Sequence, residues 1–367
     1  DVLTDMNARK RLGKFVMNFE KYPLINTLNS KQETLSKEDL DRNKIRTTFG
    51  ASLQQIMLEN LAFRQQNEWI KQNHKRLWIK YGCTKQYGGF NNMVKELDQF
   101  PFVWDSDCSG WDRVTYLSIV YRLRRECWEG PVELFNYLER YVLEPLFLNP
   151  LDGNIYQRLT GVCSGSLNTT VDNSIKHLFI IIYMLVKRLI EIGKHVDVTA
   201  LTRNSYFLIY SDDKTGGIDL DFFQWSPEEL LTYEKSVYAE FGLVIKPTAQ
   251  FSTLRHDLRE KISIQHSFLG SHFKWCEEYD SYEPFPRVGK VATSLMCLEG
   301  EQLDPVNKML KTFSLAILMR PLPKHLMIAL NYLKFLKTKY PVEYLDFLSI
   351  YSNFQIDEQG VDHYFPY

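Results

Sequence analysis

The chain has 367 residues, 44% hydrophobic and 24% charged, which excludes disordered and fibrous classes and leaves room for more than one domain. Its net charge of −1 gives no sign of a uniformly basic nucleic-acid binder. The charge is uneven, however: residues 1–80 hold 15 Lys plus Arg against 9 Asp plus Glu, and the remainder is net acidic. That division suits an enzyme that grips a polyanion with one part and holds metal ions with another, and equally suits an ordinary uneven surface.

Taken in order, residues 1–30 read as helix and loop, and 31–50 as a polar, basic stretch ending in K-I-R-T-T-F-G. A helix is expected over 51–80, where Leu53, Ile56, Met57 and Leu61 fall at helical spacing. Y-G-G-F at 87–90 is a turn, Asn91–Leu97 a helix, and F-P-F-V-W-D-S-D a strand running into aspartates. Residues 115–145 look helical, and 148–158 form a hairpin with Asp152-Gly153 at its turn. A long helix covers 168–192. Its apolar run Leu178–Val186 has nine residues, too few to cross a bilayer, and reads as buried. A strand at 205–210, a helix from Pro227 to Phe241, the strand G-L-V-I-K and a hairpin turning at Gly270 follow. From about 290 the pattern is helical, interrupted by Pro305, Pro321, Pro323 and Pro341. The fold class is α+β, without regular β-α alternation.

The six cysteines form no C-x-x-C pair, which argues against a zinc ribbon and suits a reducing compartment. The sequence shows no signal peptide. It begins at Asp1 without a methionine, as a processed or truncated product would.

Three stretches carry chemistry. D-C-S-G-W-D places Asp107 and Asp112 five positions apart after a strand. S-G-S-L-N-T-T-V-D-N places Ser164, Gly165, Thr169 and Asn173 on a loop that opens a helix. Y-S-D-D brings Asp212 and Asp213 out of a strand at a turn. Singly, each has a plain structural reading as a cap or a turn. In this order and with these inner spacings they resemble motifs A, B and C of the viral RNA-dependent RNA polymerases. K-E-D-L-D-R-N-K-I-R is similar to the basic motif F, F-G-L-V-I-K-P to motif D, and S-F-L-G-S-H-F to the primer-grip motif E. The resemblance covers roughly residues 37–275 and leans toward the astrovirus and potyvirus side.

The resemblance implies a right hand with an antiparallel palm sheet backed by helices. Fingers would take residues 1–100 and 126–160, the palm 101–125 and 161–283, and a helical thumb 284–367. Asp107 and Asp212 would bridge two Mg²⁺ ions, with Mn²⁺ as a substitute, and Asp213 would assist. Carboxylates are the donors such hard cations prefer. Asp105 lacks the five-residue interval to Asp112 and is taken as structural. Asp112, Asn173 and Ser164 or Thr169 would read the 2′-hydroxyl of an incoming nucleotide. Arg42, Lys44 and Arg46 would grip its triphosphate, and Lys246 would protonate pyrophosphate. Gly165 would lie at the template, its value being freedom of backbone dihedrals, and Phe268, Leu269 and Gly270 at the primer. The partners implied are RNA template and nascent RNA, ribonucleoside triphosphates, a protein primer and other viral replication proteins. The setting implied is the host cytoplasm, at replication complexes.

Two departures stand out. The turn is Y-S-D-D where Y-G-D-D is commoner, and the segment ahead of motif F is short, with no recognisable motif G. A reverse transcriptase also carries a Y-x-D-D turn, but a bulky aromatic would be expected where Asp112 stands. A non-catalytic RNA-binding protein on the same fold would have no chemical reason to keep Asp107, Asp212 and Asp213.

Overall fold

The computed structural model describes residues 23–30, 37, 41, 47–85, 88–113, 117–158, 164–254, 263–296 and 304–352. Arg42, Lys44 and Arg46 lie outside the described residues. In chain order the elements begin with β1 (Ile25–Ser30), β2 (Thr47–Gly50), α1 (Leu53–Gln72), α2 (Gly89–Leu97) and β3 (Phe102–Ser109). Next come α3 (Leu117–Glu126), α4 (Val132–Leu143), β4 (Leu146–Leu148), β5 (Ile155–Gln157), α5 (Thr169–Glu191) and α6 (Val198–Asn204). The hairpin β6 (Ser205–Tyr210) and β7 (Asp213–Ile218) leads to α7 (Leu220–Phe223), α8 (Pro227–Glu240) and β8 (Val244–Leu254). The chain ends with β9 (Ser263–Phe268), β10 (Ser271–Cys276), β11 (Ser281–Pro286), α9 (Val288–Met296), α10 (Pro305–Leu318), α11 (Pro323–Lys339) and α12 (Pro341–Ser352).

The chain divides into two compact units. One comprises Asp1–Lys31, Glu38–Cys83 and Asp105–Gln250; the other comprises Gln32–Lys37, Thr84–Trp104 and Phe251–Tyr367. The first holds a sheet in the order β2-β1-β4-β5, where β1 runs antiparallel to β2 and parallel to β4. A second sheet has the order β6-β7-β3-β8, with β6 and β7 an antiparallel hairpin. Around these pack α1 and α3 to α8. Phe63 of α1, Tyr121 of α3 and Phe135 of α4 meet edge to face, with centroids 5.6–6.0 Å apart, at the centre of an aromatic core. In the second unit β9, β10 and β11 form an antiparallel sheet. There Phe90 of α2 packs on Phe273, and Asn91 Oδ1 accepts from Tyr282 N–H at 2.9 Å. Met309, Leu336 and Phe347 join α10, α11 and α12 in a core of their own.

Local chemistry sets several boundaries. Ser52 caps α1 through Gln55 N–H, and α8 opens with Pro227 inside a capping box of Ser226 and Glu229. Gly153, at φ +71°, turns the β4–β5 hairpin.

The structure corrects the sequence reading in four places. Residues 25–30 form β1 rather than helix or loop, and 47–50 form β2. The stretch read as helical over 115–145 resolves into two helices, separated ahead of Pro131, which cannot continue a helical ladder. β11 was not anticipated. Helix α1 ends at Gln72, and its buried face is not the stripe that signalled it. Leu53, Met57 and Leu61 are 72%, 58% and 43% exposed, while Gln55, Glu59 and Asn67 are buried beside Leu58, Phe63 and Ile70. A helix that buries polar side chains does so because they are bonded to something, and here the partner is the loop before α5.

Behind the β6-β7-β3-β8 sheet, Lys214 of β7 and Glu234 of α8 form a buried ion pair, and Ser106 Oγ of β3 donates to Glu234 Oε1 at 3.0 Å. Among the described residues no helix is long and apolar enough to cross a membrane. Glu234→Gln would leave Lys214 buried without its counter-charge. Denaturant unfolding should show a loss of about 3 kcal/mol or more, and the paired change Lys214→Met with Glu234→Leu should recover most of it.

Candidate active site

The site begins with a two-residue turn. Tyr210 pairs with Asp213 across the β6–β7 hairpin, leaving Ser211 and Asp212 at its tip. Ser211 has φ +60°, a left-handed value that favours glycine. Asp212, in the turn, reaches solvent, and alternation along β7 then separates Asp213 from Lys214, which is buried against α8. Strand β3 repeats the pattern. Ser106 and Cys108 are buried, whereas Asp107 is exposed. Burial and the nearby Glu234 push the Cys108 thiol up to about 12, so it stays protonated.

Asp107, Asp112 and Asp212 share one electrostatic environment. The Asp212 pKa is raised, first by desolvation and then by the charges of Asp112 and Asp107, with Lys246 opposing. Lys246 Nζ lies 2.5 Å from Asp107 Oδ2, both side chains being about half exposed. The residue expected to serve pyrophosphate is thus already on an expected metal ligand. Asp213 is partly buried at the start of β7, and Asp105 is buried in β3.

The segment Ser164–Asn168 is held from two sides. Ser164 Oγ accepts from Phe49 N–H of β2 at 3.0 Å. A Cβ on Gly165 would lie 2.0 Å from Phe49 O. Its φ is not positive, so the need for glycine here is close backbone approach and not dihedral freedom. From α1, Glu59 accepts from Ser166 Oγ, Leu167 N–H and Gln55 Nε2, while Asn67 Nδ2 donates to Asn168 Oδ1 at 2.7 Å. Burial raises the Glu59 pKa against those hydrogen bonds. Asp172, also raised by burial, accepts from Arg124 Nε at 2.7 Å. Asn173, 1% exposed, has neither amide atom bonded among the described residues. Thr169 Oγ1 donates to Ser166 O at 2.9 Å.

Two residues missed in the sequence sit behind the carboxylates. Lys176 Nζ stacks 4.1 Å from the Trp111 ring centre and donates to Trp111 O. Burial lowers its pKa to about 8, with Asp112, Cys108 and Asp212 pulling the other way. His177 lies beside Trp111 at 4.5 Å and reaches Ser211 O and the Tyr238 hydroxyl. The available signal was the pair Lys176-His177 standing directly ahead of the apolar run of α5. In the second unit, Phe268 is fully buried, unlike the partly exposed tip of the β9–β10 hairpin. Leu269 and Gly270, at φ +52° and +71°, form that tip, and Lys85 Nζ holds Leu269 O and Ser271 Oγ.

In kind, the residues suit a hard divalent cation: Asp107 and Asp212 offer carboxylate oxygens in a place of crowded negative charge. Among the described residues no three His, Cys, Asp or Glu side chains are grouped to hold a metal.

Residues 2–276 match the family described as viral RNA-dependent RNA polymerase. The non-structural polyprotein 1AB of Turkey astrovirus 2 is 24% identical over 284 residues, 72% of this chain and 16% of that polyprotein. The genome polyprotein of Tobacco vein mottling virus is 28% identical over 214 residues, 56% of this chain and 7% of the polyprotein. The replicase polyprotein 1ab of Bat coronavirus 512/2005 is 23% identical over 351 residues, 83% of this chain and 5% of the polyprotein. This chain therefore spans only a small part of these much longer relatives. The match over most of its length is decisive for class: the chain belongs to the viral RNA-dependent RNA polymerase family, whose members use divalent metal ions.

Gly165→Ala must push Phe49 O away or move the loop, so it should destabilise the fold by about 1–3 kcal/mol in denaturant unfolding. Asp212→Asn removes a carboxylate whose charged form is disfavoured here. A carboxyl with a raised folded pKa weakens the fold as pH climbs through that pKa and not below the ordinary value of 3.8. Thermal unfolding in chelator should therefore find this variant more stable at neutral pH by up to about 1 kcal/mol, because screening at an exposed tip limits the gain, and equal to the parent in strong acid.

Proposed function

We propose that the chain is the catalytic part of a polymerase that copies viral RNA from an RNA template. The observation that carries this reading is the convergence of Asp107, Asp112 and Asp212 from one strand, its following loop and one hairpin tip, with Lys246 already on Asp107. In the reaction the primer 3′-oxygen bonds to the α-phosphorus, the α–β phosphoanhydride breaks, and pyrophosphate leaves. Mg²⁺ or Mn²⁺ held by Asp107 and Asp212, with Asp213 assisting, would neutralise charge and lower the pKa of the attacking hydroxyl.

The chain's own groups have separate tasks. Asp112, exposed beside this centre, offers an acceptor for a ribose 2′-hydroxyl, and the unpaired Asn173 amide offers both donor and acceptor. Thr169 and Ser164 are the hydroxyls of the same motif that could join them. Ser164 is engaged by Phe49, so Asp112 and Asn173 are the first assignment. Lys246 supplies the proton to departing pyrophosphate, and Arg42, Lys44 and Arg46 grip the triphosphate. Gly165 passes beneath the template, and Leu269 and Gly270 meet the primer. The right-hand division places fingers at 1–100 and 126–160, palm at 101–125 and 161–283, and thumb at 284–367. Template, product, nucleotides, a protein primer and other replication proteins are the partners, in replication complexes in the host cytoplasm.

The decisive assay is ribonucleotide incorporation on a primed RNA template with Mg²⁺ or Mn²⁺. Asp107→Asn and Asp212→Asn should each lower incorporation about a thousandfold, equivalent to about 4 kcal/mol of transition-state stabilisation. Incorporation that survives both changes would overturn the reading, and a preference for deoxyribonucleotides would point to a reverse transcriptase.

A further inference from the structure

The tip of the β6–β7 hairpin is held in a way that the catalytic reading does not use. Ser211 sits at φ +60°, where a side chain costs backbone energy and persists only if the surroundings fix it. Both of its backbone polar groups are captured by α5. Ser211 N–H donates to Ser174 Oγ at 2.8 Å, and Ser211 O faces His177 Nδ1 at 3.1 Å. Ser174 and His177 are three residues apart and therefore share one face of that helix.

Each capturing group is itself determined. Ser174 spends its proton on Thr170 O at 2.6 Å, leaving a lone pair for Ser211 N–H. A carbonyl can only accept, so His177 Nδ1 carries the proton and Nε2 accepts from the Tyr238 hydroxyl at 2.9 Å. The ring is neutral: burial, with Lys214 and Lys176 adding, pushes its pKa down to about 3. Trp111 at 4.5 Å fixes its plane.

We infer that Ser174 and His177 are positioning residues that hold Ser211 in its left-handed conformation and so set the direction in which Asp212 presents its carboxylate. The clamp compensates for serine at a position that suits glycine. It joins the helix after the Ser164–Asn168 loop, the loop after β3 and the aspartate turn at one imidazole. Its catalytic consequence rests on the polymerase reading; its structural content does not.

The test is a double-mutant cycle of Ser174→Ala and of His177→Leu, each with and without Ser211→Gly. Two readouts are taken: thermal unfolding in chelator, and Mg²⁺ dependence of RNA synthesis at saturating nucleotide. In the Ser211 background each clamp variant should raise the half-saturating Mg²⁺ concentration about tenfold with the nucleotide KM little changed, the size of effect that supporting groups exert on ligands. In the Ser211→Gly background the penalty should shrink to less than about threefold, because the held conformation no longer needs holding. His177→Asn, which places an amide nitrogen near the Nδ1 position, should recover part of the loss. Equal penalties in both backgrounds, or activity that falls only in step with the folded fraction, would overturn the clamp. If the parent makes no RNA, the polymerase reading fails separately. The unfolding cycle then decides the clamp alone, non-additive shifts supporting it and additive ones overturning it.

Discussion

Carboxylates repel one another, and the chain brings Asp107, Asp112 and Asp212 into one field. Burial raises the Asp212 pKa first, and the charges of Asp112 and Asp107 raise it further. Several nearby features answer to this constraint. Lys246 lies on Asp107 from the solvent side. Lys176 is sequestered beneath Trp111, with Asp112 and Asp212 stabilising its charge. Strand alternation sends Lys214 the opposite way from Asp213, where Glu234 neutralises it. The sheet thus keeps its own buried charge balanced behind, and leaves an excess of negative charge in front for a cation to relieve.

Rigidity comes from a second layer of polar contacts. The loop before α5 would be free to shift if only apolar packing held it, since apolar contacts have no direction. Instead Glu59 receives three hydrogen bonds, two of them from Ser166 and Leu167. Asn67 is fixed by Arg124 at one end and bonded to Asn168 at the other. Arg124 in turn holds Asp172, the neighbour of Asn173. A fully bonded buried network specifies one geometry, whereas an incomplete one destabilises. Among the described residues both amide atoms of the buried Asn173 lack a hydrogen-bond partner, as do Gln55 Oε1 and Asn168 Nδ2 within the network.

The candidate centre could be read from the sequence because its signals are local. Asp107 and Asp112 are five positions apart, a two-residue turn carries Asp212, and the Ser164–Asn173 run is contiguous. The long helix α5, the hairpins and the proline-started helices were readable for the same reason: periodicity and turn chemistry act over a few residues. Strand β1, I-N-T-L-N-S, was not, since it has little apolar alternation and exists through pairing with β2 and β4. Helix α1 was found from an apolar stripe that turned out to be largely exposed, while its buried face was concealed by polar letters such as Glu59 and Asn67.

That concealment has a general cause. A polar residue inside a helix reads as solvent-facing until its partner is known, and here the partners are remote. Glu59 meets Ser166 across 107 positions, Ser164 meets Phe49 across 115, and Ser174 meets Ser211 across 37. No window used to judge periodicity spans such distances. Groups that touch substrate must be presented at strand ends and turns, which leave short-range marks. Groups that hold those in place can come from anywhere the fold brings near. Serine at 211 is the one place where the two kinds of information meet: a local departure from glycine, visible in four letters, implies a distant compensation, and α5 supplies it through Ser174 and His177.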